Sequence, residues 1–208
     1  MENNTGWVEP TEPQWIALDG SENWAKCTIF QGDRLLAVIA EQNRLNMIIN
    51  ENQENIFDFM EQLKVMMTVT KWEEEFFLFA LDRAIFSLKE AAKFYPEFQA
   101  FVTNIETAIG PKHVKDVRDM RTHIDAYSKG KGKEQDRFIY ESPEELYPVK
   151  PLAEHLFAAD ATSTIIFPNA YLIGGRVNVQ VALEVMNKLL PDIINSCQNY
   201  MCPSQMQR

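Results

Sequence analysis

Cysteine is scarce in this chain: three in 208 residues, Cys27, Cys197 and Cys202. The number is odd, so a disulfide framework is not expected and a reducing cytoplasm is the natural home. No apolar run approaches the length needed to span a bilayer. The opening residues, MENNTGWVEPTEPQW, lack the basic stretch and apolar run of a secretory leader. Positive charge is in deficit as well. The formal balance is −10, which disfavours binding of nucleic acid over the whole surface. There is no Gly-x4-Gly-Lys-Ser/Thr phosphate loop, no Glu-x-x-His pair for a di-iron bundle, and no internal repeat. These absences leave a soluble, cytoplasmic protein with no membrane contact, no metal and no cofactor as the expectation.

What is present is apolar and aromatic. Hydrophobic residues make up 46% of the chain, with 13 Phe and 4 Trp, a composition that normally fills a packed core. Residues 1–33 read as an N-terminal arm, held by Trp7 and Trp15, with a short strand over 24–30 and Asp33 as the next helix cap. Leu35, Val38, Ile39, Leu45, Ile48, Ile49, Ile56, Phe59, Met60 and Leu63 recur at three- and four-residue steps. They predict one long helix from Arg34 to about Met67, or two with a bend near Asn50–Asn55.

Thr70 and Glu73 have capping-box spacing for a helix to about Phe94. That helix is apolar almost all round between Phe76 and Leu81, the pattern of a central, buried helix. Asp82 and Arg83 inside it are expected to form an internal ion pair. A short helix from Pro96 to Ala108, one from Lys112 to Tyr127 and a single turn near 151–158 follow, with loops over 134–160. TSTIIF, YLIGG and RVNV predict a hairpin, extended by the strand at 24–30. The glycines of YLIGGR are explained by a tight turn or bulge. A last helix runs from Val179 to Cys197, with Pro191 expected to kink it. The fold class is therefore mainly α: an antiparallel helical bundle with a small β-hairpin or three-stranded sheet near the C-terminus. The organisation is an arm (1–33), a helical bundle (34–130) and a loop, hairpin and helix (131–208), packed as one compact domain.

Charge is concentrated in one place. Residues 112–137 hold eight Lys/Arg against five Asp/Glu, a balance of +3, while the remainder stands at −13. A basic island on an acidic body suits one anionic ligand at one place, and it also suits a solvated helix face. Within the island, Val114, Val117, Met120, Ile124 and Tyr127 form one apolar stripe. Arg118 flanks it on one side, with Arg121 and Asp125 nearby. Asp119 and His123 share the other side. At 100° per residue Arg118 and His123 are about 140° apart, so they border one groove only if a second helix or subunit lies over the stripe. Arg offers a planar fork of donors for phosphate oxygens, and His exchanges protons near neutrality. His113, Asp116, His123 and Asp125 do not fall on one helix face, so a metal is not expected.

RDMRTH, residues 118–123, resembles the Arg-X4–6-His motif of the HEPN superfamily, in which the residue after the arginine is usually Asn, Asp or His. Here it is Asp119. The likeness covers roughly residues 34–130. It implies an α-bundle with the motif on a late helix, and a metal-independent endoribonuclease of a toxin–antitoxin or anti-phage system acting as a homodimer. It also implies a possible antitoxin or other protein partner. Arg118, His123 and Asp119 would be the catalytic group, with Arg121, Lys129, Lys131 and Tyr127 binding RNA or nucleotide. Many active toxins carry a tyrosine two residues after the histidine; here that position is Asp125, and Tyr127 comes two later. Inactive members of the superfamily bind nucleotides or act as scaffolds. A non-catalytic nucleotide- or protein-binding module therefore stays open, as does a structural helical subunit of a larger complex.

Overall fold

The computed structural model describes residues 8–51, 56–110, 112–123, 126, 165–167 and 170–201. The chain is mainly helical, with a small antiparallel sheet near the C-terminus. It divides into two compact units, Met1–Thr103 with Met186–Arg208, and Asn104–Val185.

The first unit is built on two long antiparallel helices, α1 (Glu12–Glu51) and α2 (Ile56–Ala92). The start of α1 carries one half of a capping box. The Gln14 side chain accepts the Thr11 backbone N–H at 2.8 Å and the Thr11 hydroxyl at 2.9 Å. Pro13 falls in the first turn, where its missing N–H costs no helical bond. The helix then runs through the segment expected to be an arm and a strand. Residues 24–30 are not a strand, and Asp33 is not a cap but lies inside α1.

The reason is the seam that α1 presents to α2. Leu18, Ser21, Ala25, Thr28, Gly32, Leu35 and Ile39 are all buried, and they alternate steps of three and four residues as helix-on-helix packing requires. Ser21 donates to the Ala17 carbonyl at 2.7 Å and Thr28 to the Trp24 carbonyl at 2.8 Å, so neither buried hydroxyl is left unsatisfied. At Gly20 a Cβ would stand 2.9 Å from the Ser87 hydroxyl oxygen. The small residues let the helices approach closely, and that packing offsets the roughly 1 kcal/mol that each glycine costs a helix.

The antiparallel pairing follows from Arg34 meeting Glu73 and Gln42 meeting Thr70. The two-helix alternative is thus the one observed; residues 52–55 lie outside the described residues. Thr70 is not an N-cap. It is buried in mid-helix, its hydroxyl 2.9 Å from both the Gln42 side-chain oxygen and the Met66 carbonyl. Glu73 is buried as well, one oxygen accepting from Arg34 at 2.5 Å. Nor are Asp82 and Arg83 a buried pair: Asp82 is half-buried and Arg83 exposed, its guanidinium over the Phe79 and Phe86 rings at 5.2 and 5.9 Å.

A turn at Lys93–Glu97 leads into α3 (Phe98–Ile109), in which Phe98, Val102, Ile105 and Ile109 are buried. The last helix, α5 (Val179–Met201), is continuous through an exposed Pro191. Its C-terminal half docks in the first unit. The Cys197 thiol donates to the Leu18 carbonyl at 3.3 Å. Tyr200 stacks on Tyr95 with centroids 3.9 Å apart and donates its phenol to Glu97.

The second unit holds α4 (His113–Thr122) and a three-stranded antiparallel sheet in the order β1 (Ile165–Phe167), β2 (Ala170–Ile173), β3 (Val177–Asn178). Ile166 pairs with Tyr171, and Ile173 with Val177. The third strand comes from RVNV; the 24–30 segment, being helical, does not extend the sheet. Gly174 and Gly175 turn β2 into β3 with φ of 58° and 65°, the left-handed region that only glycine enters cheaply. Asn178 then caps α5, its side-chain oxygen accepting the Val181 N–H at 3.1 Å. The expected helical turn at 151–158 and the loops over 134–160 lie outside the described residues.

Candidate phosphate-handling helix

The RDMRTH segment sits on α4, which rests against β3 within the second unit. Val114, Val117 and Met120 are buried, as the apolar stripe predicts, while Ile124 and Tyr127 fall outside the residues whose side chains are described. The stripe is therefore a packing face, and the polar residues lie beside it.

The entry to the helix is tightly specified. Gly110 has φ of 90° and Lys112 has φ of 72°. A Cβ on Gly110 would stand 2.3 Å from two atoms of the His113 ring, so that ring lies against the glycine backbone. Lys112 occupies the N-cap position without a side-chain cap. The first turn is closed by the backbone instead, Asp116 N–H donating to the Lys112 carbonyl at 2.8 Å. Asp116 itself is buried. Reading by residue spacing missed both Asp116 and His113 as packed groups. The "GPK" punctuation was the available signal for the turn, but a helical wheel carries no information about what a turn folds back.

Arg118 and Asp119 are brought together. The guanidinium approaches the Asp119 carboxylate at 3.2 Å, and each side chain is 41% exposed. The pair is half in solvent, which leaves the arginine accessible to a ligand and its salt bridge weak. Thr122 donates back to the Arg118 carbonyl at 2.9 Å. His123 stands at the end of α4, where φ of −116° takes the chain out of the helix. Its backbone N–H still reaches the Asp119 carbonyl at 3.1 Å, and its imidazole is exposed, with no side-chain hydrogen bond to a described residue. Arg121 is half-buried. Lys129, Lys131, Tyr127 and Asp125 lie outside the described residues.

The arrangement thus places an accessible guanidinium, held by its neighbouring carboxylate, and an accessible imidazole on one short helix, about 7.5 Å apart along its axis. It does not place the two side chains in contact. Among the described residues no group of three or more His, Cys, Asp or Glu is positioned to hold a metal ion, and no helix is long and apolar enough to cross a membrane. No family model, curated protein or solved structure matches this chain.

Proposed function

We propose that this chain is a HEPN-like protein whose α4 handles RNA phosphate, acting in the cytoplasm as a metal-independent endoribonuclease of a toxin–antitoxin or anti-phage system. The observation that carries this reading is the half-exposed Arg118–Asp119 pair together with the exposed His123 on one short helix. In the reaction His123 takes the proton of a ribose 2′-hydroxyl. The 2′-oxygen then attacks the adjacent phosphorus, and the 5′-oxygen leaves with a proton returned to it, giving a 2′,3′-cyclic phosphate and a 5′-hydroxyl. Arg118 stabilises the charge that builds on the phosphate oxygens, and Asp119 holds the guanidinium in place. Arg121, Lys129, Lys131 and Tyr127 serve RNA binding. Arg118 and His123 do not meet within one copy, so a second copy, or another helix, completes the site.

The test is to offer RNA to purified wild-type protein, Arg118→Ala and His123→Ala. Each substitution is expected to lower cleavage by about 10²-fold or more. Cleavage that survives both removes these residues from the mechanism. An inert wild type leaves the second reading, a non-catalytic module that binds a protein partner. The exposed aromatic residues of α2, Trp72, Phe76 and Phe86 among them, favour that reading, as does the net charge of −10.

A further inference from the structure

The helix α2 is apolar on two sides. Its inward side, with Phe77, Leu81, Ala84, Leu88 and Ala91, is buried. Its outward side is exposed: Val65 by 62%, Trp72 by 61%, Phe76 by 55%, Phe79 by 46% and Phe86 by 51%. With the half-buried Val69 and the exposed Arg83, these residues occupy positions 65, 69, 72, 76, 79, 83 and 86. The steps alternate four and three without a break. That is the spacing of a coiled-coil seam, fitted to one partner helix. A continuous apolar stripe on a helix is normally covered. Here the described residues cover the inner side, and on the outer side Trp24 meets only the edge of Phe79, with centroids 5.5 Å apart.

We propose that the outward face of α2 is covered by α2 of a second copy of this chain, packed antiparallel about a two-fold axis between Phe76 and Phe79. The seam carries its own complement. In that register Phe76 lies against Phe79 of the second copy, Val69 against Phe86, and Trp72 against Arg83. Each contact occurs twice, as an isologous interface requires. Arg83 is the one cation in an aromatic row, and Trp is the best aromatic acceptor of a cation. The guanidinium already lies over the seam, at 5.2 Å from the Phe79 ring centroid, instead of reaching into solvent. A lipid surface fits less well. The helices that lie on membranes are rich in Lys and Arg on the polar side, whereas the charges that border this face are mixed, Glu61, Glu75, Asp82 and Glu90 standing with Lys64, Lys71 and Lys89, and give it no excess of positive charge.

The inference is independent of RNA chemistry at α4, and the two are tested separately. Analytical ultracentrifugation of the full chain across the micromolar range is expected to show a dimer. Phe76→Lys is expected to give a monomer whose far-UV circular dichroism and melting temperature match the wild type. Trp72→Arg sets two guanidinium groups against each other and is expected to weaken the dimer about tenfold or more. Adding Arg83→Trp exchanges the two members of each pair and restores it. A wild type that stays monomeric overturns the proposal, and so does a dimer indifferent to Phe76→Lys. A dimer that Phe76→Lys breaks but the Trp72→Arg, Arg83→Trp exchange fails to restore overturns the antiparallel register.

Discussion

Two positive-φ positions, Gly110 and Lys112, set the start of α4, and they ask for opposite substitutions. Lys112 is the one non-glycine residue with positive φ among the described residues, at 72°. A side chain in that region costs about 1–2 kcal/mol relative to glycine's freedom there, and Lys112 makes no capping bond in return. Lys112→Gly is therefore expected to raise the melting temperature slightly, although glycine usually destabilises. Gly110→Ala, at φ of 90° and against the His113 ring, is expected to lose about 1–3 kcal/mol in a denaturant titration. Cys197 makes a second statement at this scale. Burial pushes its thiol up to about 12, with the carboxylates of Glu22 and Asp19 adding to the effect. The unfolded thiol ionises near ~8.5. The stability contributed by the neutral thiol is whole below that value and is lost as pH rises from there through about 12. At neutral pH, iodoacetamide followed by peptide mass mapping should modify the half-buried Cys27 before the buried Cys197, which it reaches only on unfolding.

At the scale of elements, the close approach of α1 and α2 is the feature to test. Gly20→Leu would force a side chain into the space held by Ser87, and it is expected to destabilise by about 1–3 kcal/mol on thermal unfolding, despite leucine's better helix propensity. This interface also shows where reading the sequence stopped short. Helices marked by large apolar residues were legible: α3 and α5 lie close to their expected places, and so do the strands around YLIGG, whereas α2 runs unbroken through the boundary expected between Met67 and Lys71. The first half of α1 was not, because its seam is made of Ser21, Ala25, Thr28 and Gly32. Those residues carry the helical period but little hydrophobicity. The capping box at Thr11 and Gln14 was present in the sequence as a start signal. At α4 the apolar stripe was legible for the same reason that α3 was, whereas the exit of the chain from the helix at His123 is a backbone choice that periodicity does not register.

Across the whole molecule, charge and aromatic surface act against each other. Two copies that each carry −10 repel, so a dimer seated on the α2 face should tighten as salt screens the repulsion, the reverse of RNA binding by cations, which salt weakens. A salt titration read in parallel by sedimentation and by RNA retention separates the two associations. The sequence by itself determined the mainly helical class, the sheet near the C-terminus and the basic island, because those follow from period and composition, which are local. Tertiary structure decided that residues 12–33 are helix, because α2 and the end of α5 supply the surfaces that small residues need to pack against, at Gly20–Ser87 and Leu18–Cys197. It also decided which aromatic residues of α2 are core. Phe77 and Phe79 read alike in the chain, yet one is fully buried, while the other meets the edge of Trp24 on α1 and is nearly half exposed.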